Sequence, residues 1–101
     1  RQLAVHRIKA NLELYTGDTA HESDFHVDWK NPHTQEGCKN MTVGIYYVNT
    51  NNGYTEFEDG SKVESVANRF VSFTGDLIHR GVSQTDTKAR VVINLNYFCD
   101  S

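Results

Sequence analysis

His26 and Asp28 set an imidazole and a carboxylate two residues apart in a run, 24–29, that alternates polar with apolar residues. Alternate side chains of an extended strand leave on the same face, so His26 and Asp28 point together while Phe25, Val27 and Trp29 point away, Val27 and Trp29 anchoring the strand against the body of the protein. An imidazole beside a carboxylate is two thirds of a familiar metal-ligand set. His79, far downstream, is the candidate for the third place, provided that the fold brings distant strands together. Two imidazoles and one carboxylate on one side of an octahedral metal leave three positions open, which suits a non-haem Fe(II) centre that must also hold a cosubstrate and oxygen. Arg90 follows His79 closely, and a guanidinium fork matches a ligand carboxylate in a bidentate way. Each piece alone is weak: a His-x-Asp arises easily by chance in a chain with five histidines, and a lone histidine is more often a surface or capping residue. The combination is what counts.

The elements that must position these residues read as short strands separated by turns. The chain has 101 residues, enough for one hydrophobic core and too few for two, so a single domain over 1–101 is expected. With 38% hydrophobic residues and a net charge of -3, it lacks the excess basic charge that attracts a phosphate backbone, which disfavours nucleic-acid binding. No apolar run approaches the length of a membrane helix, so no membrane partner is expected. Two cysteines, Cys38 and Cys99, form no disulfide framework and no Cys-x-x-Cys pair, and a cytoplasmic setting with free thiols is the simpler reading.

Period-two alternation and turn residues predict strands over 5–15, 24–29, 41–49, 54–58, 62–66, 69–74, 79–83 and 89–98. Gly17-Asp18, Asn52-Gly53, Asp59-Gly60 and Gly75-Asp76 supply the breaks between them, and 30–40 is a polar loop around Pro32. About eight short strands without a helix or a repeat predict an all-β sandwich or barrel, with the double-sheet jelly roll as first choice. In the last strand Arg90, Val92, Asn94, Asn96 and Phe98 share one face, opposite Val91, Ile93, Leu95 and Tyr97. Asn94 and Asn96 are candidates for supporting a metal ligand or touching substrate.

At this point the residues resemble a family, the Fe(II)/2-oxoglutarate-dependent dioxygenases, and most closely its prolyl 4-hydroxylase-like branch. The resemblance rests on His26-Val27-Asp28, Gly44-Ile45-Tyr46-Tyr47-Val48-Asn49, Gly53-Tyr54-Thr55-Glu56-Phe57, Arg69-Phe70-Val71-Ser72-Phe73, His79 and Ala89-Arg90-Val91-Val92-Ile93, in the family's order. It implies a double-stranded β-helix, the cupin-like variant of the jelly roll, with iron held at its open end by His26, Asp28 and His79. It further implies that Arg90 pairs with the far carboxylate of 2-oxoglutarate, that Tyr47 hydrogen-bonds the same carboxylate, and that Tyr15 lines the pocket. The implied reaction hydroxylates an unactivated C–H bond, of a prolyl residue in a peptide or protein or of a small molecule, while 2-oxoglutarate becomes succinate and carbon dioxide; ascorbate is a further cofactor in this reading.

The family places helices before the barrel, over its larger sheet, and no helical segment precedes the first strand of this chain. Ile8, Leu12 and Leu14 are therefore expected to pack against helices removed from this sequence or against a partner chain. His6, His21 and His33 have no partner at ligand spacing, and Glu56 and Glu58, beside a hairpin turn, read as a solvated pair. Two alternatives stand beside the oxygenase: a jelly-roll binding module, and a cupin-type metalloenzyme that does not use 2-oxoglutarate and has no need of Arg90.

Overall fold

The computed structural model describes residues 3–99. Seven strands run through them: β1 (Leu3–Leu14), β2 (Cys38–Tyr47), β3 (Tyr54–Phe57), β4 (Lys62–Glu64), β5 (Arg69–Gly75), β6 (His79–Val82) and β7 (Ala89–Cys99). A four-stranded antiparallel sheet has the order β1-β7-β2-β5, and a three-stranded sheet has the order β4-β3-β6. The fold is an all-β jelly roll, and no helix occurs among the described residues.

Strand β2 shows why the sequence folds this way. Met41, Val43, Ile45 and Tyr47 alternate with residues of the opposite face and are all but fully buried. With Val92 of β7 they form the core, against which Val71 and Phe73 of β5 pack. Burying side chains of this size contributes about 1.5–3 kcal/mol each, enough to fix the register of a central strand, since a slip of one residue would expose all of them. The β3–β4 hairpin turns at Gly60, whose φ of 91° suits glycine, and the Asp59 carboxylate accepts bonds from the Ser61 amide (2.9 Å) and hydroxyl (2.6 Å).

The inward face of β7 is its polar one. Arg90 and Asn96 are only 3% and 4% exposed, so these polar residues line the space between the sheets instead of meeting solvent. The outward face is apolar, and Ile8, Leu12 and Leu14 of β1 remain 61–64% exposed among the described residues.

One expected strand does not form. Residues 24–29 make no ladder, only the isolated bridge of His26 with His79, and run beside β6 with a slip in register. Ser23 N–H donates to Gly81 O (3.0 Å), whereas His26 and His79 exchange bonds of 2.9 and 3.0 Å, so three residues advance on this segment against two on β6. An extra residue of this kind bends the chain and re-aims the side chains that follow. Trp29 is 39% exposed and is not among the core residues, while Val27 is half-buried.

Candidate functional site

His79 opens β6, where it pairs with Phe57 of β3, and the slipped segment lays His26 directly beside it. The two imidazole rings stand 4.7 Å apart. Asp28 Oδ1 lies 3.2 Å from His79 Nε2 and 3.6 Å from His26 Nε2. Ligand atoms about 2.1 Å from an ion and at right angles to one another lie about 3 Å apart, so one carboxylate oxygen sits adjacent to both imidazoles, as three ligands on one face require.

Each of the three side chains is held from behind. His26 Nδ1 donates to Asp24 O (2.8 Å) and His79 Nδ1 donates to Leu77 O (3.0 Å). A carbonyl can only accept, so both rings carry a proton on Nδ1 and aim Nε2 at Asp28, where Nε2 donates to the carboxylate when the ring is charged and offers its lone pair to a metal when that proton is gone. Asn96 Nδ2 donates to Asp28 Oδ2 at 2.9 Å, which leaves Oδ1 for the imidazole side. Phe73 packs edge-on against His79, with ring centres 4.9 Å apart, and Phe57 closes the same aromatic cluster. Arg80 ties the slipped segment down: its Nη2 pairs with Glu22 (2.7 Å) and Glu56 (2.6 Å), and the Phe25 ring covers its guanidinium. Glu56 is therefore one end of an ion-pair bridge and not half of a solvated acidic pair.

Burial alone would raise the Asp28 carboxyl, but hydrogen bonds from His26, His79 and Asn96 outweigh it and hold the group below the usual carboxylate range. The Asp28 carboxylate in turn raises the His26 pKa, against the opposing effect of its partial burial. The donor set thus has an ionised carboxylate and two imidazole Nε2 atoms aimed at one point, and it fits a divalent metal that accepts mixed nitrogen and oxygen ligands. Asn96→Ala is expected to weaken metal affinity about 10–100-fold, because Asp28 loses the bond that orients it. A chelator-competition titration measures this; unchanged affinity would show that Asn96 does not position the ligand.

A cleft of about 200 Å³ joins this cluster to Arg90, and Asn11, Glu13, Thr55, Val92 and Asn94 also line it. Arg90 Nε donates to Ser65 Oγ (3.1 Å) and Nη1 donates to Glu13 Oε1 (3.2 Å). Gly53 makes room for it: a Cβ there would stand 2.7 Å from Arg90 Cδ. Tyr47 is not on the cleft wall. It is fully buried, and its hydroxyl shares a 2.7 Å bond with Thr55 Oγ1, one layer behind the cleft. Tyr15 is not brought to the site at all, since it is 47% exposed and its hydroxyl donates to Asp18 at 2.5 Å, beside a separate depression near Lys88. Strand β1 ends at Leu14, and Tyr15, whose amide still donates to Lys88 O (2.8 Å), turns its ring to Asp18. Sequence alone does not single out Glu13 or Ser65; parity places Glu13 on the polar face of β1, but its position opposite Arg90 depends on a register that only the fold reveals.

The fold and the cluster together define a double-stranded β-helix with a His/Asp/His constellation and a buried arginine in one cleft. No protein-family model matches the chain, and no curated protein sequence does. Among solved structures it is similar to a cupin protein from Bacteroides fragilis, at 11% identity over 93% of this chain with a TM-score of 0.61. A protein from Neisseria meningitidis is similar over 94% of this chain and 82% of its own, at 12% identity with a TM-score of 0.55. The chain spans 66% of the length of the Bacteroides fragilis protein. These likenesses are of fold, a cupin-like β-helix.

Proposed function

We propose that the chain is the catalytic core of an Fe(II)- and 2-oxoglutarate-dependent dioxygenase that hydroxylates an unactivated C–H bond. The observation that carries this reading is the single cleft lined by His26, Asp28, His79 and Arg90. His26, Asp28 and His79 would hold the metal, which when bound supplies oxygen activation. Their fixed tautomers and the Asn96 bond present three ligands without reorganisation and leave the cleft side open. Arg90 binds the distal carboxylate through its guanidinium fork and so fixes the direction in which the 2-oxo acid enters. Phe57 and Phe73 keep water from the back of His79.

The substrate in this proposal is a prolyl residue of a peptide or a small molecule, and its choice falls to the loops around the cleft. The setting is cytoplasmic, a reading supported by the low cysteine count and the free thiol of Cys38. The test is succinate formation from 2-oxoglutarate by the Fe(II)-loaded protein, run with pools of peptides and small molecules and followed by mass spectrometry for gain of one oxygen atom.

A second reading, a cupin-type metalloenzyme that does not use 2-oxoglutarate, is favoured by one specific observation: Arg90 already has a carboxylate partner, Glu13. Metal-dependent chemistry without succinate release would decide for it.

A further inference from the structure

Strand register sets Glu13 of β1 directly opposite Arg90 of β7. Both side chains leave on the inward face, and they meet at the end of the cleft, where Glu13 Oε1 accepts from Arg90 Nη1 at 3.2 Å. The two partners are held very differently. The Arg90 side chain is 3% exposed, pinned by Ser65 and by the close approach of Gly53. The Glu13 side chain is 42% exposed, and among the described residues its carboxylate has one polar partner, through one oxygen, at a distance longer than the 2.7–2.9 Å of a strong charge-assisted bond. Its backbone is fixed, the carbonyl accepting from Gln84 Nε2 at 3.0 Å, so only the side chain has freedom to move.

A buried guanidinium without an anion is costly, and a half-exposed carboxylate that turns back into water loses little. We infer that Glu13 is an internal competitor for Arg90: its carboxylate fills the arginine's anion position in the resting protein and is displaced by the distal carboxylate of an incoming 2-oxo acid. This rests on the function proposed above and deepens it, making Glu13 the residue that sets how strongly the cleft prefers dicarboxylates. A 2-oxo acid without a distal carboxylate, such as pyruvate, leaves the Glu13–Arg90 pair in place. 2-Oxoglutarate must break it.

The experiment is anaerobic titration of the Fe(II)-loaded protein with 2-oxoglutarate and, separately, with pyruvate, in wild type, Glu13→Gln and Arg90→Ala. Glu13→Gln, which keeps the size of the side chain, should bind 2-oxoglutarate about two- to fivefold tighter and pyruvate as wild type does. Equal tightening of both acids would mean a general effect of removing a negative charge near the metal, and would overturn the inference. So would unchanged or weaker 2-oxoglutarate binding in Glu13→Gln while Arg90→Ala still loses it; that result leaves the proposed function standing. If Arg90→Ala binds 2-oxoglutarate as wild type does, the proposed role of Arg90 fails, and the competition with it.

Discussion

His26→Ala is expected to abolish metal-induced stabilisation while leaving the metal-free protein folded. The expectation follows from where each ligand sits. The His26 side chain is 46% exposed and touches the aromatic cluster only at its edge, through the His79 ring, so truncating it opens no cavity in the core. His79 is buried against Phe57 and Phe73, and its loss mixes a packing defect with the loss of a ligand. A ligand that binds only the folded state stabilises it by about 2.7 kcal/mol when present at 100 times its dissociation constant. Wild type should gain an increment of that order from a divalent metal, and His26→Ala none at the same concentration. Thermal melts with and without metal read both quantities at once. Equal metal-induced shifts in the two proteins would remove His26 from the ligand set.

Arg90→Ala should weaken 2-oxoglutarate binding by about 1.5–3 kcal/mol, roughly ten- to 150-fold, the range for hydrogen bonds to a charged group. The fold should tolerate the change electrostatically, because the carboxylate left behind, Glu13, is exposed enough to be hydrated. Arg90→Lys separates charge from geometry. An ammonium keeps the charge but cannot present two parallel N–H donors, so it should recover only part of the affinity. Anaerobic titration of the metal-loaded variants measures both, and an Arg90→Ala protein within twofold of wild type would contradict an anchoring role.

Much of this arrangement is legible in the amino-acid sequence, for identifiable reasons. Alternation in β2 is clear because one of its faces is buried, so Met41, Val43, Ile45 and Tyr47 announce a central strand. The polar inner face of β7 is equally visible as a pattern, although alternation alone does not say that it faces the interior. Residues 24–29 show where alternation misleads. Their pattern is as regular as that of a true strand, but the pairing beside β6 slips by one residue between Ser23 and His26, and nothing in the local sequence marks it. His26 and Asp28 still converge, held by Asp24 O, Asn96 and the His79 pairing instead of by a strand. The Glu13–Arg90 pair is hidden for a different reason: it depends on which residues of two distant strands stand opposite each other, a property of the assembled sheet. Tyr15 illustrates the converse, a residue whose parity points inward but whose ring, at the end of its strand, is drawn to Asp18.

The most direct measurement of the central claim is addition of 2-oxoglutarate to the Fe(II)-loaded protein without oxygen, followed by admission of air. Binding of the 2-oxo acid at a centre formed by His26, Asp28 and His79 predicts a change in visible absorption before air is admitted, and succinate afterward, with both lost in His26→Ala. No spectral change and no succinate from a wild-type protein that demonstrably holds the metal would contradict it.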